Sequence, residues 1–274
     1  MTLRKRQPDV PAAVLHRVGA VSFLNTRPLI CGLDDVPGVY LERAVPAELA
    51  GWLTAGRVDA ALAPSVDYQL VGGDWLIAPG AVIASAGEVL TVRVFSRRPL
   101  DQIERIACDR DSHTSVLLAQ VVWRLRFGRA VAVEPLTGDP ARCEAVLLVG
   151  DKVIAQLDHW PYQLDLGQAW LDATALPFVY AFWSLRRRDH DRDAALAGIL
   201  LDARRRGQAQ LDELADRYGP EHGFAPALAR DYFHNNLIIA PDESCWRGLE
   251  RFYRLAHEMA LLPEPRPLRF VDGG

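Results

Sequence analysis

The sequence predicts an α/β protein built as two lobes, and three observations carry that reading. Short apolar runs alternate with amphipathic stretches along the chain, as when buried strands are covered by helices. Half of the 274 residues are hydrophobic and about a quarter are charged, the balance of a globular protein. Two apolar segments, near Val94–Pro99 and near Pro177–Leu185, sit where a chain would leave one lobe and return to it. The length suits one large domain or two lobes, so a single doubly wound sheet is the alternative that these patterns leave open. No internal repeat of fixed period occurs.

The elements follow in order. Arg4, Lys5 and Arg6 would suit a signal peptide, but Asp9, Pro11, His16 and Arg17 break the apolar run that must follow. Residues 1–16 therefore read as a frayed leader. No stretch approaches the ~20 apolar residues of a membrane span, and a cytoplasmic protein without a membrane partner is expected. A strand over Arg17–Ser22 runs into Asn25-Thr26-Arg27-Pro28. Proline is tolerated in the first turn of a helix because its missing N–H would be unpaired there. Ser22, Asn25, Thr26 and Arg27 thus sit at a strand-to-helix junction, whose free N–H groups attract anions. A capped turn with no ligand is the plainer alternative. A helix over Pro46–Ala55 places Leu49, Trp52 and Leu53 on one face, with Gly56 as its C-terminal cap.

A strand over Ala60–Leu62 ends at Pro64-Ser65, and Ser65 can cap a helix starting at Val66. The segment Ser85–Thr91 leads into a strand over Val89–Phe95. A strand over Arg105–Cys108 is followed by Ser112-His113-Thr114-Ser115 and a helix over Thr114–Phe127. A strand over Ala145–Val149 ends at Gly150-Asp151. Further helices are expected over Lys152–Leu157, Leu166–Ala173, Ala194–Tyr218 and Ser244–Leu261, and a strand over Phe178–Leu185. The run Arg186–Asp193 is a solvated surface.

Five polar groups thus lie at strand ends, where open α/β sheets bind ligands. Of these, Ser112, His113, Thr114 and Ser115 form the best local candidate. Hydroxyls and free N–H groups at a helix start make a neutral cradle for a carboxylate, with helix capping alone as the alternative. Asp109, Asp111 and His113 alternate in a way that could suit a metal, but alternate loop residues often point apart, and no HExxH or EF-hand pattern occurs. GxGxxG, Walker and GxSxG motifs are absent, which disfavours dinucleotides, ATP and a serine-hydrolase elbow. No metal or nucleotide cofactor is expected. Cys31, Cys108, Cys143 and Cys245 lack ligand spacing and are expected as reduced thiols. A net charge of −4 gives no footing for nucleic acid.

The ordered set of segments SFLNTRPL (22–29), VPAELAGWLTAGRVDAALAPSVDY (45–68), DSHTSVLLAQ (111–120), AVLLVGD (145–151), DLGQAWLDATALPFVYAFW (165–183) and GLERFYRLAHEMALLP (248–263) resembles the MqnA family of menaquinone biosynthesis, the chorismate dehydratases of the futalosine route. The resemblance spans nearly the whole chain. It implies a two-lobed, type II periplasmic-binding-protein-like fold, which closes over a small ligand by hinge motion. The lobes are then residues 1–95 with 180–274, and residues 96–179, with the ligand cleft between them. It implies chorismate as substrate, no cofactor, and a monomer or homodimer.

The Asn of the FLN motif is catalytic in the family, and here it is Asn25. A family Ser on the strand after a GPV-like segment aligns with Thr91, a departure that keeps the hydroxyl and adds a methyl. The substrate's enolpyruvyl carboxylate has been considered as the base. Glu88 stands where relatives commonly carry Pro and reads as a loop charge; Arg27 could pair with a carboxylate. Three rivals remain: a non-catalytic carboxylate-binding protein, the sister 1,4-dihydroxy-6-naphthoate synthase, whose opening motif differs, and a transcription-factor effector domain, for which no helix-turn-helix or basic patch is found.

Overall fold

A computed structural model describes residues 15–109 and 113–271. The chain forms two five-stranded sheets. The first contains β1 (His16–Val21), β2 (Val39–Ala44), β3 (Ala60–Pro64), β4 (Trp75–Ser85) and β10 (Phe178–Arg186), in the order β2-β1-β3-β10-β4. The second contains β5 (Val92–Ser96), β6 (Arg105–Cys108), β7 (Ala132–Pro135), β8 (Ala145–Val149) and β9 (Tyr162–Asp165), in the order β7-β6-β8-β5-β9. Helices α1 (Pro46–Thr54), α2 (Asp67–Leu70), α3 (His113–Phe127) and α4 (Leu166–Thr174) intervene. After β10 come α5 (His190–Gln208), α6 (Leu211–Tyr218), α7 (Pro226–Asp231) and α8 (Glu243–Glu258).

Neither sheet is purely parallel. β1 is parallel to β2 and β3, but β10 is antiparallel to β3 and β4. In the second sheet β6 is parallel to β7 and β8, while β5 is antiparallel to β8 and β9. The cause is topological. β1, β3, β6 and β8 end at the boundary between the sheets, whereas β5 and β10 enter there from the other lobe and must run the opposite way.

The crossings correct the expected boundaries. β5 pairs wholly within the second sheet, so the first crossing is residues 86–91, and Val94–Pro99 is the far end of that strand. A division after residue 95 would cut β5, and one before residue 180 would cut β10. The second crossing, at 175–177, precedes β10 and meets the expected Pro177–Leu185 only at Pro177, since the rest of that region is the strand itself. Val89 and Leu90 were expected within the strand. They form the crossing turn instead, and Leu90 has φ +66°.

Other expectations shift locally. Lys152–Leu157 is a 3-10 turn over Asp151–Gln156. The long helix expected over Ala194–Tyr218 is two, α5 and α6, divided at Ala209-Gln210. His16 belongs to β1 and is buried, so the strand begins inside the segment read as a leader; residues 1–14 lie outside the described residues. One large apolar core runs under both sheets, and a smaller one, with Phe95, Val146, Leu148 and Trp160, covers the other face of the second sheet.

Candidate active site

The strand ends meet around a narrow cavity of about 50 Å³. The first lobe contributes Val21, Leu62 and Pro64 from its strand ends. The second contributes Val92 and Val149 from its own. Four side chains place polar atoms in this apolar wall: Asn25, Thr91, Ser115 and Tyr180. None of the described residues lining it carries a charge.

Asn25 lies in a 3-10 turn, Leu24–Leu29, that leaves β1. Pro28 sits inside that turn, and the backbone of Pro28 packs on α5 at Gly207. A Cβ on Gly207 would lie 2.0 Å from the Pro28 carbonyl oxygen. The residue before the turn, Phe23, makes no side-chain cap, so the expected capped helix is a short turn clamped by tertiary packing. The Thr26 hydroxyl, fully buried, donates to Asn25 Oδ1 at 3.3 Å.

Thr91 ends the first crossing. Its turn is pinned by Asp165, the N-cap of α4, which accepts from Val89 N at 3.1 Å and Leu90 N at 2.9 Å, as well as from Gly167 and Gln168. Burial pushes the Asp165 carboxyl above its ordinary value. Arg93 pairs with both Asp165 and Glu88, so Glu88 is a loop charge engaged outside the cavity wall. The Thr91 hydroxyl lies 2.9 Å from the phenol oxygen of Tyr232, and the Asn25 side chain stands beside that phenol. Tyr180 pairs with Ser85 at 3.2 Å, and burial raises both phenols well above the usual range.

The structure brings three of the expected residues, Asn25, Thr91 and Ser115, to one cavity and distributes the others around it. Ser22 is exposed at the end of β1 and does not line the cavity. Ser65 does not cap α2; its hydroxyl donates to the Val179 carbonyl at 2.8 Å, because the side chain is buried under β10. Thr114 does not cap α3 either. Its hydroxyl accepts from Val66 N at 3.2 Å and links the two lobes.

His113 faces a second cavity, of about 390 Å³, and pairs with Asp67 at 2.8 Å. That hydrogen bond raises the His113 pKa. Ser112 and Asp111 lie outside the described residues. Gly150 has φ +79° and packs against the Phe23 ring; a Cβ there would lie 2.9 Å from it. Asp151 accepts from Leu24 N at 3.2 Å and meets His222 Nδ1 at 2.6 Å, while Arg27 lies 3.3 Å from the other ring nitrogen. Burial pushes the Asp151 carboxyl up. Gly150 and Asp151 therefore fasten the lobes beside the cavity rather than line it. Asp109 pairs with Lys152, and no group of three or more His, Cys, Asp or Glu suited to a metal occurs among the described residues.

Sequence reasoning missed Tyr180 and Tyr232. Tyr180 stood in the quoted block 165–183 without a role, and Tyr232 lay outside every quoted block. Its one local mark is the π-helical turn Tyr232–Asn236, which no residue pattern signalled.

Comparison with known proteins adds to this geometry. Residues 16–258 match the family model described as menaquinone biosynthesis. The chain belongs to the menaquinone-biosynthesis family. A chorismate dehydratase from Thermus thermophilus is 30% identical to this member over 238 residues, covering 80% of this chain and 87% of the relative. Among solved structures, protein AF1704 from Archaeoglobus fulgidus superposes with a TM-score of 0.67 at 16% identity, over 90% of this chain and 98% of that one. The periplasmic aliphatic sulphonate binding protein SsuA from Escherichia coli gives 0.62 at 14% identity, over 93% and 95%. The family member thus has the two-lobed, periplasmic-binding-protein-like fold. No helix among its described residues is long and apolar enough to cross a membrane.

Proposed function

We propose that this protein is a chorismate dehydratase, a hydro-lyase that removes water from chorismate to give 3-[(1-carboxyvinyl)oxy]benzoate on the futalosine route to menaquinone. The observation that carries the reading is the neutral, hydrogen-bonding cavity in which Asn25 and Thr91 meet, in a chain related to a chorismate dehydratase along most of its length. The ring C3–H of chorismate is activated through C1=C2 by the ring carboxylate. Removing that proton places charge on the carboxylate, and loss of the C4 hydroxyl completes the aromatic ring. The protein's task is to hold two carboxylates and stabilise the developing charge, which is electrostatic preorganisation.

Among the described residues, Tyr180 is the titratable group lining the cavity, and its phenol is pushed well above its ordinary value. A general base works best with a pKa near the operating pH. This favours the enolpyruvyl carboxylate of the substrate as the base. Asn25, with an amide that both donates and accepts, orients the leaving hydroxyl or the anionic intermediate. Ser115, near the start of the long helix α3, belongs to the carboxylate cradle.

The second reading, a small-anion-binding protein without turnover, is favoured by the likeness to SsuA. Purified protein with chorismate decides between them. The dehydratase consumes the diene absorbance and yields a product lighter by one water, whereas a binding protein leaves chorismate intact. Retention of chorismate by active-concentration protein would overturn the proposal.

A further inference from the structure

We propose that Tyr232 is a positioning residue for this reaction: its buried phenol couples the Asn25 amide to the Thr91 hydroxyl and holds both towards the cavity. The inference rests on the dehydratase reading and names a part of the site that no sequence motif marks.

Tyr232 has no exposed surface. Its ring is held by Phe224, with centroids 5.3 Å apart, and by Phe233 at 6.0 Å. A buried tyrosine hydroxyl needs a polar partner, and a backbone carbonyl would suffice for stability. Here the partner is instead a side chain of the cavity wall, Thr91 at 2.9 Å, with the Asn25 amide beside it. The three groups come from distant parts of the chain: the turn after β1, the first crossing, and the π turn after α7. π turns are rare and frequent at functional sites, and this one turns Tyr232 inward at the point where the two other elements meet.

The hydrogen-bond inventory gives the arrangement a direction. A phenol has one proton and can accept others. It is a stronger acid than an aliphatic alcohol, so Tyr232 donates to Thr91, and its lone pairs accept from the Asn25 amide. Thr91 then keeps its own proton for another acceptor. In the structure that acceptor is the Val89 carbonyl at a weak 3.5 Å, a contact that a substrate oxygen in the cavity can replace. The Asn25 amide is held by Thr26 on its oxygen, which leaves its nitrogen as the donor that the Tyr232 phenol beside it can accept from. Tyr232 itself does not line the cavity; it acts through the two groups that do.

The test is a double-mutant cycle on chorismate turnover, with rates taken per folded molecule. Tyr232→Phe keeps the ring and removes the hydroxyl. The expected result is a kcat lowered roughly tenfold, the effect of one well-placed hydrogen bond, with KM changed far less. In a Thr91→Val background the same substitution should cost a smaller factor, because one of the two groups it acts through is gone. An unchanged kcat in Tyr232→Phe, or equal fractional losses in both backgrounds, would overturn the proposal.

If Tyr232→Phe does not fold, 3-fluorotyrosine installed at position 232 keeps the ring and sharpens the donor. A changed kcat at constant KM is then expected, and an unchanged one overturns the proposal. Failure of the dehydratase reading shows differently, as an absence of turnover by the wild-type protein, and the positioning role falls with it.

Discussion

At the cavity wall, single neutral side chains carry the interactions that a charged site would assign to Arg or His. Asn25→Ala removes an amide whose orientation is already fixed, and losing one preorganised donor costs about 10²–10³ in rate. Phe23, not Asn25, stands at the cap position, so no cap is lost, and only a modest fall in melting temperature is expected, from the buried Thr26 hydroxyl that loses its partner. Near-normal kcat with a lowered melting temperature would mark Asn25 as structural. Thr91 gives a paired prediction. Thr91→Ser keeps the hydroxyl and most of the rate. Thr91→Val leaves the Tyr232 phenol without that buried partner, a loss of about 1–3 kcal/mol in stability, with a fall in kcat. Chemical denaturation and steady-state kinetics on the two variants separate hydroxyl from methyl.

The sequence already pointed to Asn25 and Ser115, which sit within segments whose order along the chain carried the family resemblance, and to Thr91, which aligns with a family Ser outside those segments. Ser65, read as a helix cap, and Thr114, read as part of a carboxylate cradle, are used differently for a physical reason. A hydroxyl at a helix start has a local use, and nothing in its neighbours shows that another lobe offers it a better partner. Tyr232 depends on contacts that close over long separations, which no local pattern encodes.

At the level of elements, Asp165 has the widest reach. It caps α4 and accepts the amides of Val89 and Leu90, which fixes the turn before Thr91. Asp165→Ala loses the cap, worth about 1 kcal/mol, and leaves buried donors unsatisfied at about 1–3 kcal/mol. A destabilisation of about 2–4 kcal/mol by urea unfolding is expected, with kcat reduced because the turn is released. Unaltered stability would show that the turn is held by other means.

Strands buried on both faces, such as β3 and β8, were legible as continuous apolar runs. β2 and β7 were not, because they are edge strands with charged and half-exposed residues. β4 hid behind Pro79 and Gly80, which read as a break; proline is tolerated there because β4 is the edge of its sheet.

Across the whole molecule, several contacts among the described residues join the lobes around the cavity. Three sets of them, apart from the Thr91–Tyr232 pair, are Val66 N to Thr114, His113 to Asp67, and Leu24 N to Asp151 with Gly150 against Phe23. Scattering is expected to show a more extended molecule without ligand and compaction at saturating chorismate, since opening must break these contacts. An invariant radius would argue against closure. Gly150→Ala adds a Cβ where φ is positive and the Phe23 ring is in the way, so it should disfavour the closed form and raise KM.

The His113–Asp67 contact adds a pH dependence. The folded pKa of His113 is raised above 6.5, first by its hydrogen bond to Asp67. Its stabilisation is therefore fully present below the ordinary imidazole value and is lost as pH rises through the higher folded value. Melting curves of wild type and His113→Gln should differ most on the acid side and converge on the alkaline side. Parallel curves would remove the pair from the account.

Thr91 occupies one of the two strips of chain about which the lobes must swing. Points near the axis of a rotation travel least, while distant points sweep the longest arcs. The Thr91–Tyr232 pair should therefore stay in register as the jaws part, and Ser115 and Asp151, farther out, should carry the travel. On this view the chemistry is assembled before the substrate arrives, and closing supplies only the grip and the dryness. A substrate-free crystal structure with the jaws apart and the Thr91–Tyr232 contact intact is the expected picture; a broken contact there would mean that the site is built anew in each cycle.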